Sequence, residues 1–194
     1  MLRLRHVVAA ALLLPAAARA QNIALNMPTF SSGAYSSNSM APNAVDGNTD
    51  GNFYNNSIFH SAASNGGWWY VDLGQTYDVT QIDYWNRTDF GPQRIVGATL
   101  GIFTAAPYQG GSPAPVWSTV FTSSAIQQTF ALSATGRYVG IIDPVDYLQI
   151  AELQVQGTPS LTPPSTTTPE PATCTLLAGG LLAIGAAVRR RRVA

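Results

Sequence analysis

Val96-Gly97-Ala98-Thr99-Leu100-Gly101-Ile102-Phe103 repeats apolar side chains with a period of two: Val96, Ala98, Leu100 and Ile102 alternate with Gly97, Thr99, Gly101 and Phe103. That period puts one set of side chains on a single face of an extended strand. Working outward, short segments of the same kind occupy 68–73, 79–85, 116–121, 127–132, 137–142 and 148–155, separated by clusters of Gly, Pro, Asn and Ser. No stretch between them reads as a long amphipathic helix. Seven or eight such strands in about 135 residues predict an all-β fold, an antiparallel β-sandwich or jelly roll.

All 19 aromatic residues lie between Phe30 and Tyr147, which delimits the folded domain as residues 21–157. Ahead of it, residues 1–20 carry Arg3 and Arg5, an apolar run from Val7 to Leu14, and Ala18-Arg19-Ala20, the pattern of a secretory signal peptide cleaved near Gln21. Behind it, residues 158–168 are rich in Thr, Pro and Ser and too poor in apolar surface to fold, so they read as a linker. Residues 172–188 are uncharged and apolar and are followed by Arg189 to Arg192, which suits a short membrane span whose basic end stays in the cytoplasm. The chain's single cysteine, Cys174, falls in that tail. The exported domain therefore has no disulfide and depends on packing or on a metal for its stability.

The formal charge of zero hides an uneven distribution, because seven of the ten arginines sit in the two ends. Residues 21–157 hold three arginines, no lysine, eight aspartates and one glutamate, a net of minus six. An acidic domain without a basic stripe excludes nucleic acid as a partner. Yet two of those arginines and the domain's one histidine fall within 35 residues: His60, 26 positions, Arg87-Thr88-Asp89, four positions, Arg94. A neutral sugar offers hydroxyls that donate and accept, and a face of C–H groups. Guanidinium forks supply paired N–H donors to such oxygens, and an imidazole donates or accepts through one ring nitrogen. Asp89, between the arginines, is set to orient them and offset their repulsion.

This spacing resembles the sugar-binding motif of the fucolectins, or F-type lectins. The resemblance implies that His60, Arg87 and Arg94 contact the sugar and that Asp89 orients the arginines. Tyr54 and Phe90 are then candidates for the hydrophobic wall that receives the C6 methyl of L-fucose. Further similarity runs through Asn22-Ile23-Ala24-Leu25-Asn26, Asn43-Ala44-Val45-Asp46-Gly47-Asn48, Trp68-Trp69-Tyr70-Val71-Asp72-Leu73, Gly136-Arg137-Tyr138-Val139 and Ala151-Glu152-Leu153-Gln154-Val155. It therefore covers nearly all of 22–157 and implies a discoidin-like, galactose-binding-like sandwich. Several of these segments occur in discoidin-type domains generally, so the His60 to Arg94 spacing is what points to a fucosylated glycan or related carbohydrate. The alternative is a discoidin-like structural or adhesion protein of the extracellular matrix whose ligand is not fucose.

The same resemblance implies calcium, held by the carboxylates of Asp46 and Glu152, by Ser57 oxygens, and by main-chain carbonyls of Asn43, Asn48 and Ala151. Independently, Glu152 is the only glutamate of the domain and shares strand parity with Leu148 and Ile150, where an unpaired carboxylate is costly to bury. A metal, or a bulge turning it outward, resolves that conflict. An Asx-rich turn without metal is the plainer reading of the Asp46 loop. It opens like an EF-hand, but its twelfth position is Ser57 and no helices flank it, so that motif is rejected.

The chain departs from the family where many members have two adjacent cysteines after the Arg-x-Asp; Phe90-Gly91 stands there instead, and the phenylalanine ring is a substitute platform for sugar C–H groups. A second family disulfide would join the positions of Ile58 and Ala151, an apolar pair here. Pro169-Glu170-Pro171, the apolar segment and the terminal arginines resemble a PEP-CTERM sorting signal over 169–194. That implies recognition by an exosortase-type enzyme, transient anchoring in the inner membrane, and delivery to the surface or exopolysaccharide matrix of a Gram-negative-type bacterium. Glycoside hydrolysis needs two carboxylates flanking the sugar bond, and Asp72 and Asp89 do not suit, so binding without catalysis is expected.

Overall fold

The computed structural model describes residues 21–108 and 113–161. Among these, eight antiparallel strands follow in order: β1 (Thr29–Ser31), β2 (Phe59–His60), β3 (Gly67–Trp85), β4 (Thr99–Phe103), β5 (Trp117–Val120), β6 (Gln127–Asp143), β7 (Gln149–Ile150) and β8 (Glu152–Pro159). The signal peptide, the linker beyond Leu161 and the sorting signal with its span at 172–188 lie outside the described residues. No helix among the described residues is long and apolar enough to cross a membrane.

Two long strands carry the architecture. β3 and β6 pair from Gly67↔Asp143 to Trp85↔Gln127, with register shifts between Asp72 and Tyr77 and between Val79 and Gln81. Along the first half, β1 lies beside β3 while β4 and then β5 lie beyond β6; along the second half, β8 takes the place beside β3. At the bend Gly74 adopts φ of 83°, a conformation open to glycine at little cost. Trp69, Val71 and Leu73 before the bend, and Val79, Ile82 and Tyr84 after it, join one core with Leu100, Ile102, Val139, Ile141, Leu153 and Val155. The two halves of the sheet thus share one core, as in the expected sandwich.

The bend also decides where the strand ends go. Gly67 abuts Ser61 and Leu148, and Trp85 O accepts from Ala151 N at 2.9 Å, so both ends of β3 arrive beside the small β2–β7 pair. That pole carries the candidate site.

Several sequence-based boundaries change. The segments 68–73 and 79–85 are one strand, as are 127–132 and 137–142, because main-chain pairing continues around the bulges. The segment expected at 148–155 breaks at Ala151. β4 starts at Thr99 rather than near Val96, since Val96 and Ala98 donate back to Gln93 O and Ile95 O and close a 3-10 turn. The linker does not begin at 158: Thr158 and Pro159 pair with Asp78 and Tyr77, and Ser160 N donates to Thr76 O. An edge strand needs only main-chain partners, so composition placed that boundary too early.

Trp69 is the largest fully buried side chain, and its indole N–H donates to Ala41 O at 3.0 Å. Trp69→Ala is expected to lower unfolding free energy by about 3–5 kcal/mol, read as a fall in the urea midpoint at constant slope. A loss below about 1 kcal/mol would contradict this packing.

Candidate functional site

A concavity of about 280 Å³ opens at the pole where β3 ends, lined by Tyr35, Phe53, Tyr54, His60, Arg87, Phe90, Arg94 and Tyr147. His60 is the last residue of β2, opposite Gln149 of β7, and its main-chain carbonyl accepts from Tyr35 N at 2.8 Å. Arg87 and Asp89 follow the end of β3. Arg94 sits in the 3-10 turn Pro92–Ile95, entered through Gly91 at φ 65°. Asn86, itself buried, ties this loop together: Nδ2 donates to Pro92 O at 2.8 Å, and Oδ1 accepts from Arg87 N at 2.9 Å and from the Tyr84 hydroxyl at 3.1 Å. His60, Arg87, Arg94, Tyr54 and Phe90 are thereby brought to one cavity, with Asp89 behind Arg87. Tyr35, Phe53 and Tyr147 were missed, since they belong to separate loops and carry no spacing signal; only Phe53, next to Tyr54, stood close to a residue already singled out.

Arg87 is buried and makes a two-pronged pair with Asp89, Nε to Oδ1 at 2.8 Å and Nη2 to Oδ2 at 2.7 Å. That guanidinium, together with the Phe53 N–H, holds the Asp89 carboxyl below the usual carboxylate range. The expected role of Asp89 toward both arginines is divided: the carboxylate against Arg94 is Asp146, at 3.5 Å. Loop 143–147 returns to this pole with β7, which sequence distance concealed. Rings complete the walls. Arg87 lies 4.8 Å from the Phe53 centroid and 5.7 Å from that of Phe90, and Arg94 lies 5.2 Å from both Phe90 and Tyr147. His60 packs 4.8 Å from Tyr35, 5.0 Å from Tyr147 and 5.8 Å from Phe53. Tyr54 and Phe90 stand at the rim, 80% and 60% exposed.

The imidazole is poised as an acceptor. Its Nδ1 meets Ser61 O at 2.9 Å, and a carbonyl only accepts, so Nδ1 carries the proton and Nε2 the lone pair. Burial, then the nearby Arg87 and Arg94 charges, lower its pKa, against the Ser61 bond, which raises it. With both arginines offset by carboxylates and His60 neutral, the cavity suits an uncharged, hydroxyl-rich ligand with an apolar face.

A second polar cluster lies under the loop 43–57. A bend at Ala151 separates β7 from β8; Leu148 and Ile150 before it and Leu153 and Val155 after it join the core, which leaves Glu152, opposite Trp85, on the other face of β8. Turning out of the core does not expose it, however, because the loop covers it completely. Gly47 N donates to Oε2 at 3.2 Å, while Oε1 has no hydrogen-bond partner. Burial drives the Glu152 pKa up to about 8, and nearby Asp46 adds to this against the Gly47 and Gln154 donors. Asp46 ends the 3-10 turn Ala41–Val45, and Asn43, Asn48 and Ser57 lie on the same loop. Asn43 Nδ2 donates to the carbonyls of Asn38, Asn56 and Ile58, and Ser57 Oγ to Asn52 O. No group of three or more His, Cys, Asp or Glu occurs among the described residues. This donor set is two carboxylates and neutral oxygens, which suits a hard cation, and a buried orphan carboxyl oxygen is the deficit such an ion removes. Ile58 and Ala151 are both buried, holding by packing.

Among known proteins, residues 43–141 match the family described as NedA-like, galactose-binding domain, and residues 167–192 match the PEP-CTERM protein-sorting motif. A fucolectin of Anguilla anguilla is 46% identical over 70 residues, 36% of this chain and 44% of that protein. Fucolectin-6 of Anguilla japonica is 36% identical over 129 residues, 64% of this chain and 67% of that protein. The chain thus spans less than half the length of the first and about two thirds of the second. A fucose binding module of Streptococcus pneumoniae, SpX-3, superposes with a TM-score of 0.62 at 28% identity, covering 70% of this chain and 96% of that one. These relatives are lectins and binding modules, in keeping with an expectation of binding without catalysis.

His60 is the domain's one histidine, so its titration is readily followed by NMR. A lowered folded pKa means that the unfolded state binds the proton more readily. Stability is therefore full above the ordinary value of about 6.5 and falls as pH drops through the folded value. The imidazole is expected to titrate below about 6.5, with the melting temperature falling over that range; a midpoint above 7 would contradict it.

Proposed function

Since the chain belongs to the fucolectin family, with a NedA-like, galactose-binding domain, we propose that it is a lectin for terminal L-fucose or a related 6-deoxy sugar. Arg87 and Arg94 donate to ring and vicinal oxygens, and His60 Nε2 accepts from a hydroxyl. Asp89 keeps Arg87 aligned, while Tyr54 and Phe90 receive the methyl and the C–H face. The observation that carries this reading is the convergence of one imidazole and two guanidiniums on a single aromatic-walled cavity. Phe90-Gly91 in the place of the adjacent cysteine pair favours a second reading, a discoidin-like structural or adhesion protein of the extracellular matrix whose ligand is not fucose.

Calcium is the proposed cofactor. Asp46 and Glu152 would hold it with Asn43, Asn48, Ser57 and Ala151, and its positive charge would neutralise Glu152 in place of a proton. The signal-like residues 1–20 and the matched sorting motif support export, processing by an exosortase-type enzyme and delivery to the outer surface or matrix, with the tail as a transient membrane anchor.

Titration with L-fucose is expected to give binding that Arg87→Ala and Arg94→Ala each weaken by about tenfold or more, since a hydrogen bond to a charged group contributes about 1.5–3 kcal/mol. Unchanged affinity in either variant would overturn the assignment, and a glycan array answering equally to non-fucosylated sugars would favour the second reading. A chelator is expected to lower the melting temperature, and an identical melt in metal-free protein would remove calcium from the account.

A further inference from the structure

The segment from Asp46 to Tyr54 reaches both sites, and a run of side-chain to main-chain bonds holds its course. Asp46 Oδ1 accepts from Asn48 N at 2.8 Å, then Asn48 Oδ1 from Asp50 N, Asp50 Oδ1 from Asn52 N and Asn52 Oδ1 from Tyr54 N, each at 3.0 Å. Four consecutive rings of this kind leave the backbone few alternatives. One end meets Glu152 through Gly47 N, and the other delivers Phe53 and Tyr54 to the sugar cavity.

Midway, this segment presses against the loop that carries Arg87. Thr88 N donates to Gly51 O at 2.9 Å. A Cβ on Gly51 would stand 2.5 Å from Asn86 O, 2.6 Å from Thr88 Cγ2 and 2.9 Å from Thr88 N. Two of those atoms are backbone and cannot swing aside, so the approach requires glycine for closeness. Two residues on, Phe53 N donates at 3.0 Å to Asp89 Oδ1, the oxygen that also accepts from Arg87 Nε, and the Phe53 ring faces the Arg87 guanidinium.

We propose that Gly51 and Phe53 are positioning residues that latch the cation loop to the Arg87–Asp89 loop, so that a divalent cation beside Glu152 raises sugar affinity through this contact. The proposal rests on the lectin and calcium readings above. Linkage makes the effect reciprocal: sugar tightens the cation by the same factor. Asn86 and Thr88 are the first residues to register a loosened latch.

The test uses the full-length protein and calcium chloride. In wild type without sugar, calcium is expected to slow hydrogen exchange at least threefold across Asn86 to Asp89 and to raise fucose affinity at least threefold. In Gly51→Ala, calcium should still raise the melting temperature while both other effects vanish, a separation that general destabilisation would not produce. Asp50→Ala, which removes the acceptor for Asn52 N and Asn55 Nδ2 and touches neither site, is expected to give the same separation should Gly51→Ala fail to fold. Calcium leaving exchange at 86–89 unchanged in wild type, or acting undiminished in a folded variant, overturns the proposal. Absence of a calcium-induced thermal shift overturns it as well. If wild type binds no fucose, the lectin reading falls, and the exchange measurement still judges the latch.

Discussion

An arginine that is 6% exposed must have a carboxylate to meet it, and the bond between Arg87 and Asp89 is the constraint from which the rest of the site follows. Removing one partner of a buried pair costs about 3–5 kcal/mol, because the other charge is then stranded. Asp89 also accepts from Phe53 N, so one carboxylate fixes the fork of Arg87 and the ring beneath it together. Pairing also lowers the local charge, which turns a cationic hole into a cavity suited to a neutral ligand. The fork is planar and always ionised, so its donors present themselves without reorganisation.

The fold exists to bring such a pair to the right pole. β3 turns back on itself, and both of its ends lie beside β2 and β7, the strands that carry His60 and Gln149. Residues more than eighty positions apart in the chain, His60 and Tyr147, therefore meet with ring centroids 5.0 Å apart. Loops do the binding and strands do the positioning, an arrangement that lets a stiff core hold a site made of short polar segments. The same geometry accounts for Glu152. The break between β7 and β8 at Ala151 leaves it on the face away from Leu153 and Val155, where Gly47 of the overlying loop meets it and it is fully buried.

How far the chain could be read without coordinates follows from the kind of signal each residue carries. Strand existence was legible because burial on one face imposes alternation, as along Leu100 and Ile102. The joining of 68–73 to 79–85 was not, since a bend at Gly74 looks like a break in any pattern based on side chains. His60, Arg87 and Arg94 stood out because cations are scarce in this domain. Tyr35, Phe53 and Tyr147 did not, being aromatic residues among many. Asp146 was hidden too, because its meeting with Arg94 depends on how β6 and β7 return. For Glu152 the sequence posed burial as a conflict to be resolved by a metal or a bulge. The structure breaks the strand at Ala151 and leaves Oε1 buried without a hydrogen-bond partner.

The central claim is that one cavity, built by Arg87, Arg94 and His60, receives the sugar. Side-chain NMR of arginine Nε–H groups during addition of L-fucose tests it most directly, with Arg137, paired to Asp72 on the sheet, as an internal control. The account predicts saturable shifts at Arg87 and Arg94 and none at Arg137. Shifts confined to other residues, or none anywhere at saturating sugar, would contradict it.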